Sequence, residues 1–255
     1  MDTFTFQHFT IAQDRCAMKV GTDGVLLGAW APVPPHGRRI LDVGTGTGVI
    51  ALMMAQRFPE AVVEALDMDA EACRQASENV ERNGYNGRVI VHQPCMFQNF
   101  NADNISSEDT DSYTYSPNNT YQPSLYDAIV SNPPFFQDSL RNPDERRSLA
   151  RHNDSLSFRD LARHSARLLR KDGLFSVIIP TEVRERVEEE CVFAGLSLCR
   201  RVGIRTTPCK PVRRWLLTFS KAIPTVTEEK EACLMNPDGS RSSWYADLTK
   251  DFYIR

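Results

Sequence analysis

The run Asp42-Val43-Gly44-Thr45-Gly46-Thr47-Gly48 constrains this chain more than any other, because it directly follows a short apolar segment and opens a helical one. Alternating glycines require a backbone that turns sharply and lets a ligand approach its N–H groups closely. The segment 38–43 (RRILDV) reads as a strand and 47–57 (TGVIALMMAQR) as a helix. Strands at 61–67 and 87–92 then flank a helix at 69–83, which Asp69 caps and Gly84 ends. Strands alternating with helices at these lengths predict a parallel sheet with crossover helices. A dinucleotide fingerprint would want Gly or Ala in the third slot of GxGxxG, where this chain has Val49. A phosphate-binding P-loop would need Gly-Lys-Ser/Thr, which is absent.

Further along, strands are predicted at 125–130, 173–179, near 196–205 and at 213–220, with helices at 158–171, 182–194 and 242–252. That makes seven strands, mostly parallel, with helices on both faces: an α/β, Rossmann-like fold. One domain over 1–255 accommodates them, with an N-terminal extension at 1–37 and a tail at 224–255. The stretch 101–124 interrupts the pattern; it carries four acidic residues and no basic ones, and reads as a flexible insertion. No stretch approaches the ~20 apolar residues of a membrane span. The N-terminus lacks the layout of a secretory signal. Seven cysteines without a CxxC pair argue against a disulfide framework and a cysteine zinc site, and no metal site is predicted. These features suit reduced thiols in a cytoplasmic protein.

The D-x-G-x-G-x-G form resembles motif I of the class I S-adenosylmethionine (SAM) methyltransferases, in which the loop cradles a small zwitterion. Asp67, at the end of the second strand, is placed to accept hydrogen bonds from two ribose hydroxyls. Asp69 better suits a helix cap. The fourth strand runs directly into Asn132-Pro133-Pro134-Phe135. In an open parallel sheet the ligand crevice lies at the carboxyl ends of the strands, so this tetrapeptide and the glycine loop meet there. The prolines fix the backbone and supply no N–H. The Asn132 side-chain oxygen and the Pro133 carbonyl can hold both hydrogens of a planar amine whose lone pair must be released from its ring. Phe135 would stack the base. Methyltransferases acting on adenine or cytosine amino groups, on the guanine 2-amino group and on protein glutamine amides share this motif. It therefore specifies the nitrogen class better than the substrate.

The block Arg15-Cys16-Ala17-Met18-Lys19-Val20-Gly21-Thr22-Asp23-Gly24, with Leu26-Leu27-Gly28-Ala29-Trp30-Ala31, DVGTGTG and SNPPFF, resembles the bacterial tRNA1(Val) (adenine-37-N6)-methyltransferase family over most of the chain. The resemblance implies transfer of a methyl group from SAM to N6 of the adenine beside the anticodon of a valine tRNA. It implies that Asp42, Gly44, Thr45, Gly46, Gly48, Asp67 and Met68 line the cofactor and that Asn132, Pro133, Pro134 and Phe135 form the catalytic loop. Lys19, Gly21, Thr22 and Asp23 would close over the cofactor's amino-acid end; the alternative for Asp23 is to cap a helix at 24–31. Where the family usually has Ala-Asp-Ile after the third strand, this chain has Pro94-Cys95-Met96. A thiol is a weak acceptor, so Cys95 and Met96 imply weaker adenine recognition.

The chain has 30 Lys+Arg against 33 Asp+Glu, a net charge of −3, which excludes coating nucleic acid by bulk charge. Yet Arg200, Arg201, Arg205, Lys210, Arg213 and Arg214 place +6 within 200–214. Arg147 and Arg151 follow the catalytic loop. Such clusters beside a base pocket suit contacts to tRNA phosphates. A guanine-N2 or glutamine-N5 methyltransferase and a non-catalytic SAM- or RNA-binding module are the alternatives. The glutamine enzymes usually carry an N-terminal helical domain, for which 37 residues are too few. Nothing in the chain marks an obligate protein partner.

Overall fold

The computed structural model describes residues 2–16, 18–100, 126–134 and 156–254. The central sheet comprises β3 (Arg39–Val43), β4 (Val62–Leu66), β5 (Val89–Val91), β6 (Tyr126–Ser131), β7 (Leu169–Pro180), β8 (Ser197–Arg205), β9 (Arg214–Ser220) and β10 (Glu228–Cys233). Their spatial order is β10-β8-β9-β7-β6-β3-β4-β5. Only β9 runs antiparallel to its neighbours. All seven predicted strands are present. The eighth, β10, lies in the region read as a tail, and its sequence EEKEAC lacks the β-branched and aromatic residues that signal a strand.

Six helices flank the sheet: α1 (Thr22–Trp30), α2 (Val49–Arg57), α3 (Ala70–Arg82), α4 (Phe158–Leu168), α5 (Arg184–Phe193) and α6 (Ser243–Thr249). Successive strand residues alternate between the two faces. Ile40, Ala128, Val130 and Ile178 join α1 and α2 in one core. Leu41, Ile129, Val177 and Ile179 join α4 and α5 in the other. Strands covered on both faces become continuous apolar runs, which explains their legibility. Asp69 caps α3 by accepting from Glu71 N (2.9 Å), and Ser157 caps α4 by accepting from Asp160 N (3.0 Å).

A separate hairpin, β1 (Thr3–Thr5) with β2 (Thr10–Ala12), precedes α1. It clasps the carboxyl end of the described chain: Gln7 N donates to Phe252 O (2.8 Å), and Phe6 stacks on Tyr253 at 6.0 Å. Glu64, in β4, is a buried carboxylate. It accepts from Arg39 Nη2 (2.5 Å) and Tyr126 OH (2.7 Å) and pairs with His92 Nε2 (2.9 Å). Burial pushes this carboxyl up, but the hydrogen bonds from His92, Arg39 and Tyr126 outweigh burial and hold it below the usual range.

Glu64→Ala is expected to lower stability by about 3 kcal/mol, because it strips a guanidinium and a buried phenol of their acceptor. Urea unfolding at neutral pH measures this, and a loss below about 1 kcal/mol would assign the network to packing alone.

Candidate active site

β3 sits at the centre of the parallel strands, with β4 and β5 on one side and β6 and β7 on the other. The helices α2 and α4 pack on opposite faces of the sheet, and open α/β sheets bind ligands in the crevice at the carboxyl ends of strands at such a switch point. The glycine loop leaves β3 there, and Asn132 leaves β6 there. Ser131 Oγ donates to Val43 O (2.8 Å) and ties the two strand ends together.

Gly44, Gly46 and Gly48 have φ of +74°, +54° and +81°, values that exclude ordinary side chains. A Cβ on Gly44 or Gly46 would meet nothing within 4 Å, so open space lies beside the loop at both positions. At Gly48 the same atom would lie 3.3 Å from Ala76 Cβ, so this glycine also lets α2 start hard against α3. Gly44 N and Thr45 N both donate to Leu66 O, at 2.9 and 3.0 Å. Asp67 braces the loop from the end of β4: its Oδ2 accepts from Gly46 N (2.9 Å) and its Oδ1 from Asp69 N (3.0 Å). Each carboxylate oxygen keeps a lone pair for an outside donor, such as a ribose hydroxyl.

Asp42 is fully buried, and its Oδ2 accepts from Thr45 Oγ1 (2.7 Å). Among the described residues, neither its Oδ1 nor the buried Oδ1 of Asn132 has a hydrogen-bond partner. Two buried acceptors without donors at one crevice suit a ligand that brings N–H groups. Burial, with the Asp67 charge adding to it, pushes the Asp42 carboxyl up to about 7, against the opposing hydrogen bond from Thr45.

Beside Asp67, Cys95 N donates to Asp67 O (3.0 Å) and Cys73 Sγ lies 3.6 Å from the same oxygen. Burial raises both thiols, so both stay neutral near pH 7. Met68 is exposed and Met96 half-buried at the same rim.

The N-terminal block runs into the start of α1. Gly21 occupies the cap position of α1. Asp23 lies in the first turn and accepts from Arg214 Nε (2.7 Å), so the cap reading of Asp23 is corrected. Thr22 is exposed at the start of the helix, and Lys19 Nζ pairs with Asp2 at 2.6 Å. Pro133 is buried and Pro134 exposed. Phe135, Arg147, Arg151 and the 101–124 insertion lie outside the described residues.

Most of the +6 in 200–214 is spent inside the protein. Arg200 opposes Glu228 on β10 (2.9 Å) and Arg201 opposes Glu229 (2.7 Å). Arg205 reaches Glu231 (2.7 Å), and Arg213 lies 3.8 Å from Glu182. Lys210 has no acidic partner among the described residues. The exposed face of α4 carries Arg159, Arg163 and Arg167, three cations at helical spacing. Arg167 donates to Phe100 O (3.0 Å), whereas no acid among the described residues pairs with Arg159 or Arg163. Their i, i+4, i+8 spacing was the available signal for this stripe.

The buried Asp42 makes a pH-dependent contribution that can be measured. A folded-state pKa above the ordinary 3.8 means that ionisation opposes folding. The penalty is absent near pH 4, grows as pH rises and is complete above about pH 7. Asp42→Asn is therefore expected to raise the melting temperature at pH 8 and to leave it unchanged near pH 4, as differential scanning calorimetry in both buffers would read. An equal gain at both values would remove the assigned burial penalty.

Comparison with known proteins agrees with this geometry. The family described as Methyltransferase small domain matches residues 24–105, from α1 through the glycine loop. A crystal structure of a predicted O-methyltransferase from Agrobacterium tumefaciens superposes with a TM-score of 0.65 over 90% of this chain and 96% of that one; at 16% identity it shows the fold alone. The tRNA1(Val) (adenine(37)-N6)-methyltransferase of Bacteroides thetaiotaomicron is 41% identical, covering 98% of this chain and 97% of its own. The protein of the same name from Yersinia pseudotuberculosis is 38% identical, covering 98% and 92%. Similarity at this level runs the length of the chain and includes both edges of the crevice, so the chain belongs to the tRNA1(Val) (adenine(37)-N6)-methyltransferase family.

Proposed function

We propose that the protein transfers a methyl group from SAM to the exocyclic N6 of adenine 37 in tRNA1(Val). The observation that carries the chemistry is the buried Asn132 Oδ1, which has no hydrogen-bond partner among the described residues and is held at the strand junction beside the glycine loop. When bound, SAM supplies an electrophilic methyl group on a positively charged sulfur. Gly44 and Gly46 leave room for it, Asp67 suits its ribose, and Asp42 Oδ1 suits its ammonium. Cys95, in place of a carboxylate, leaves the adenine with a weak acceptor.

An adenine amine is a poor nucleophile because its lone pair is delocalised into the ring. Asn132 Oδ1 and the Pro133 carbonyl accept its two N–H groups and favour a tetrahedral nitrogen, which frees the lone pair. These acceptors are preorganised and pay no reorganisation when positive charge develops on nitrogen. Pro133 and Pro134 keep the loop rigid and present no competing N–H.

The RNA backbone is assigned to cations that remain available at this edge. The loop between β8 and β9 carries Lys210 and Arg213, and the exposed Arg213–Glu182 pair is weak. Because β6 and β7 are parallel, α4 starts at the carboxyl edge and runs back along the sheet, which puts Arg159 nearest the crevice. Arg200, Arg201 and Arg205 act instead within the sheet.

Two measurements test these assignments. With tritiated SAM and a tRNA mixture, nuclease digestion and nucleoside mapping should place the label in N6-methyladenosine at position 37 of tRNA1(Val). Label in guanosine or on protein would favour the alternatives, and SAM binding without transfer would favour a non-catalytic module. Asn132→Ala should cut the rate by about two orders of magnitude at unchanged SAM affinity. For the RNA surface, a double Arg159→Gln, Arg163→Gln variant should raise KM for tRNA and reduce the log–log salt slope by about 2. Arg200→Gln with Arg201→Gln should leave that slope alone; the opposite pattern would return the RNA to β8.

A further inference from the structure

α3 carries Gln75 and Asn79 on its buried face, and Asn83 follows at its carboxyl cap, so three side-chain amides stand four residues apart. Strand β2 turns one edge to β1, where Phe4 opposes Ile11 and Gln13 N donates to Asp2 O (2.9 Å). Its other edge has no strand beside it among the described residues. The amides of α3 take that place. Asn83 Oδ1 accepts from Thr10 N (2.9 Å), and its Nδ2 donates to Thr10 O (2.8 Å). One turn back, Asn79 Oδ1 accepts from Ala12 N (2.8 Å), and its Nδ2 donates to Ala12 O (2.9 Å). Gln75 Oε1 then accepts from Arg15 N (3.1 Å).

Thr10 and Ala12 are alternate strand residues, whose N–H and C=O point to the same edge. The helix therefore completes a ladder with side chains where a strand would use its backbone. Donor and acceptor on each strand residue also dictate which end of each amide is oxygen.

The second amide hydrogen of the half-buried Asn83 returns to Asn79 O (2.7 Å), within its own helix. That of Asn79 goes to Thr47 O (2.9 Å), between Gly46 and Gly48. Asn79 is fully buried, and both of its amide hydrogens and its oxygen are engaged in joining α3 to two segments distant in sequence. The loop that β2 leads into is itself closed, since Gln13 Oε1 accepts from Val20 N (2.8 Å) just before Gly21 and α1.

We infer that Asn79 is a positioning residue for the cofactor loop: its amide holds the Thr47 carbonyl and couples the shape of Gly44–Gly48 to the docking of β2. Asn83 makes the same pair of bonds to the strand without touching the loop. It is thus an internal control for a purely structural role. The cofactor consequence rests on the SAM reading above, whereas the effect on the loop does not.

The test compares Asn79→Asp with Asn83→Asp in the full chain. Each variant loses its donor to a strand carbonyl, and only Asn79→Asp also sets a carboxylate oxygen against Thr47 O. Hydrogen exchange of the 42–52 backbone in ligand-free protein should speed up in Asn79→Asp and stay at the wild-type rate in Asn83→Asp. Calorimetric titration with SAM should show affinity falling about tenfold in the first and less than about twofold in the second. If Asn79→Asp does not fold, Asn79→Ser against Asn83→Ser carries the same comparison without a new charge. Equal loop exchange in the paired variants, whether both fast or both unchanged, overturns the inference. A wild type that binds no SAM, with loop exchange still selective for Asn79, leaves the positioning role standing and overturns the cofactor reading.

Discussion

The bond from Ser131 Oγ to Val43 O sits where two parallel strands end side by side, and the chemistry depends on that junction. One strand end releases the glycine loop and the other releases Asn132. The glycine loop and Asn132, on distant parts of the chain, become neighbours only because β3 and β6 pair in this register. The helices α2 and α4 pack in the cores on opposite faces of the sheet. The left-handed glycines follow from the same demand, since the backbone must turn within a few residues while keeping its N–H groups near a ligand.

Charge is handled in two ways on one sheet. β10 places Glu228 and Glu229 opposite Arg200 and Arg201, and Glu231 near Arg205, so a basic strand and an acidic strand satisfy each other. Cross-strand pairs of this kind settle the neighbour and register of a strand whose residues have little intrinsic preference for one. Arg200 also lies over the Trp30 ring at 4.8 Å, and Arg201 reaches Glu188 of α5 at 3.7 Å, so neighbouring arginines serve opposite faces. Arg214 leaves the sheet to hold Asp23 at the first turn of α1. Five of the six cations in 200–214 thus have an acidic partner within the chain.

Legibility followed the range of the interaction. Strands β3 to β7 could be read because burial on both faces makes them apolar runs, and the glycine loop because its φ values are local demands. Asp67 and Asn132 could be read because each directly follows such a strand. β10 could not, because an edge strand of charged residues has no apolar period. Nor could the pairings of Lys19 with Asp2 and of Asp23 with Arg214, since both depend on which elements pack together. The same holds for Asn79: a polar residue on an amphipathic helix reads as solvent-facing unless the strand and loop that cover it are known.

By itself, then, the sequence determined an α/β sheet, a glycine loop at the end of one strand and the Asn-Pro-Pro turn at the end of another. Each of these rests on backbone preferences and apolar periodicity that act within a few residues. Tertiary structure decided which acid meets which arginine, which acceptors remain buried and unpaired, and which amide joins strand to loop. Those outcomes turn on contacts between segments tens of residues apart, and a side chain's partner exists only once its neighbours have been brought beside it.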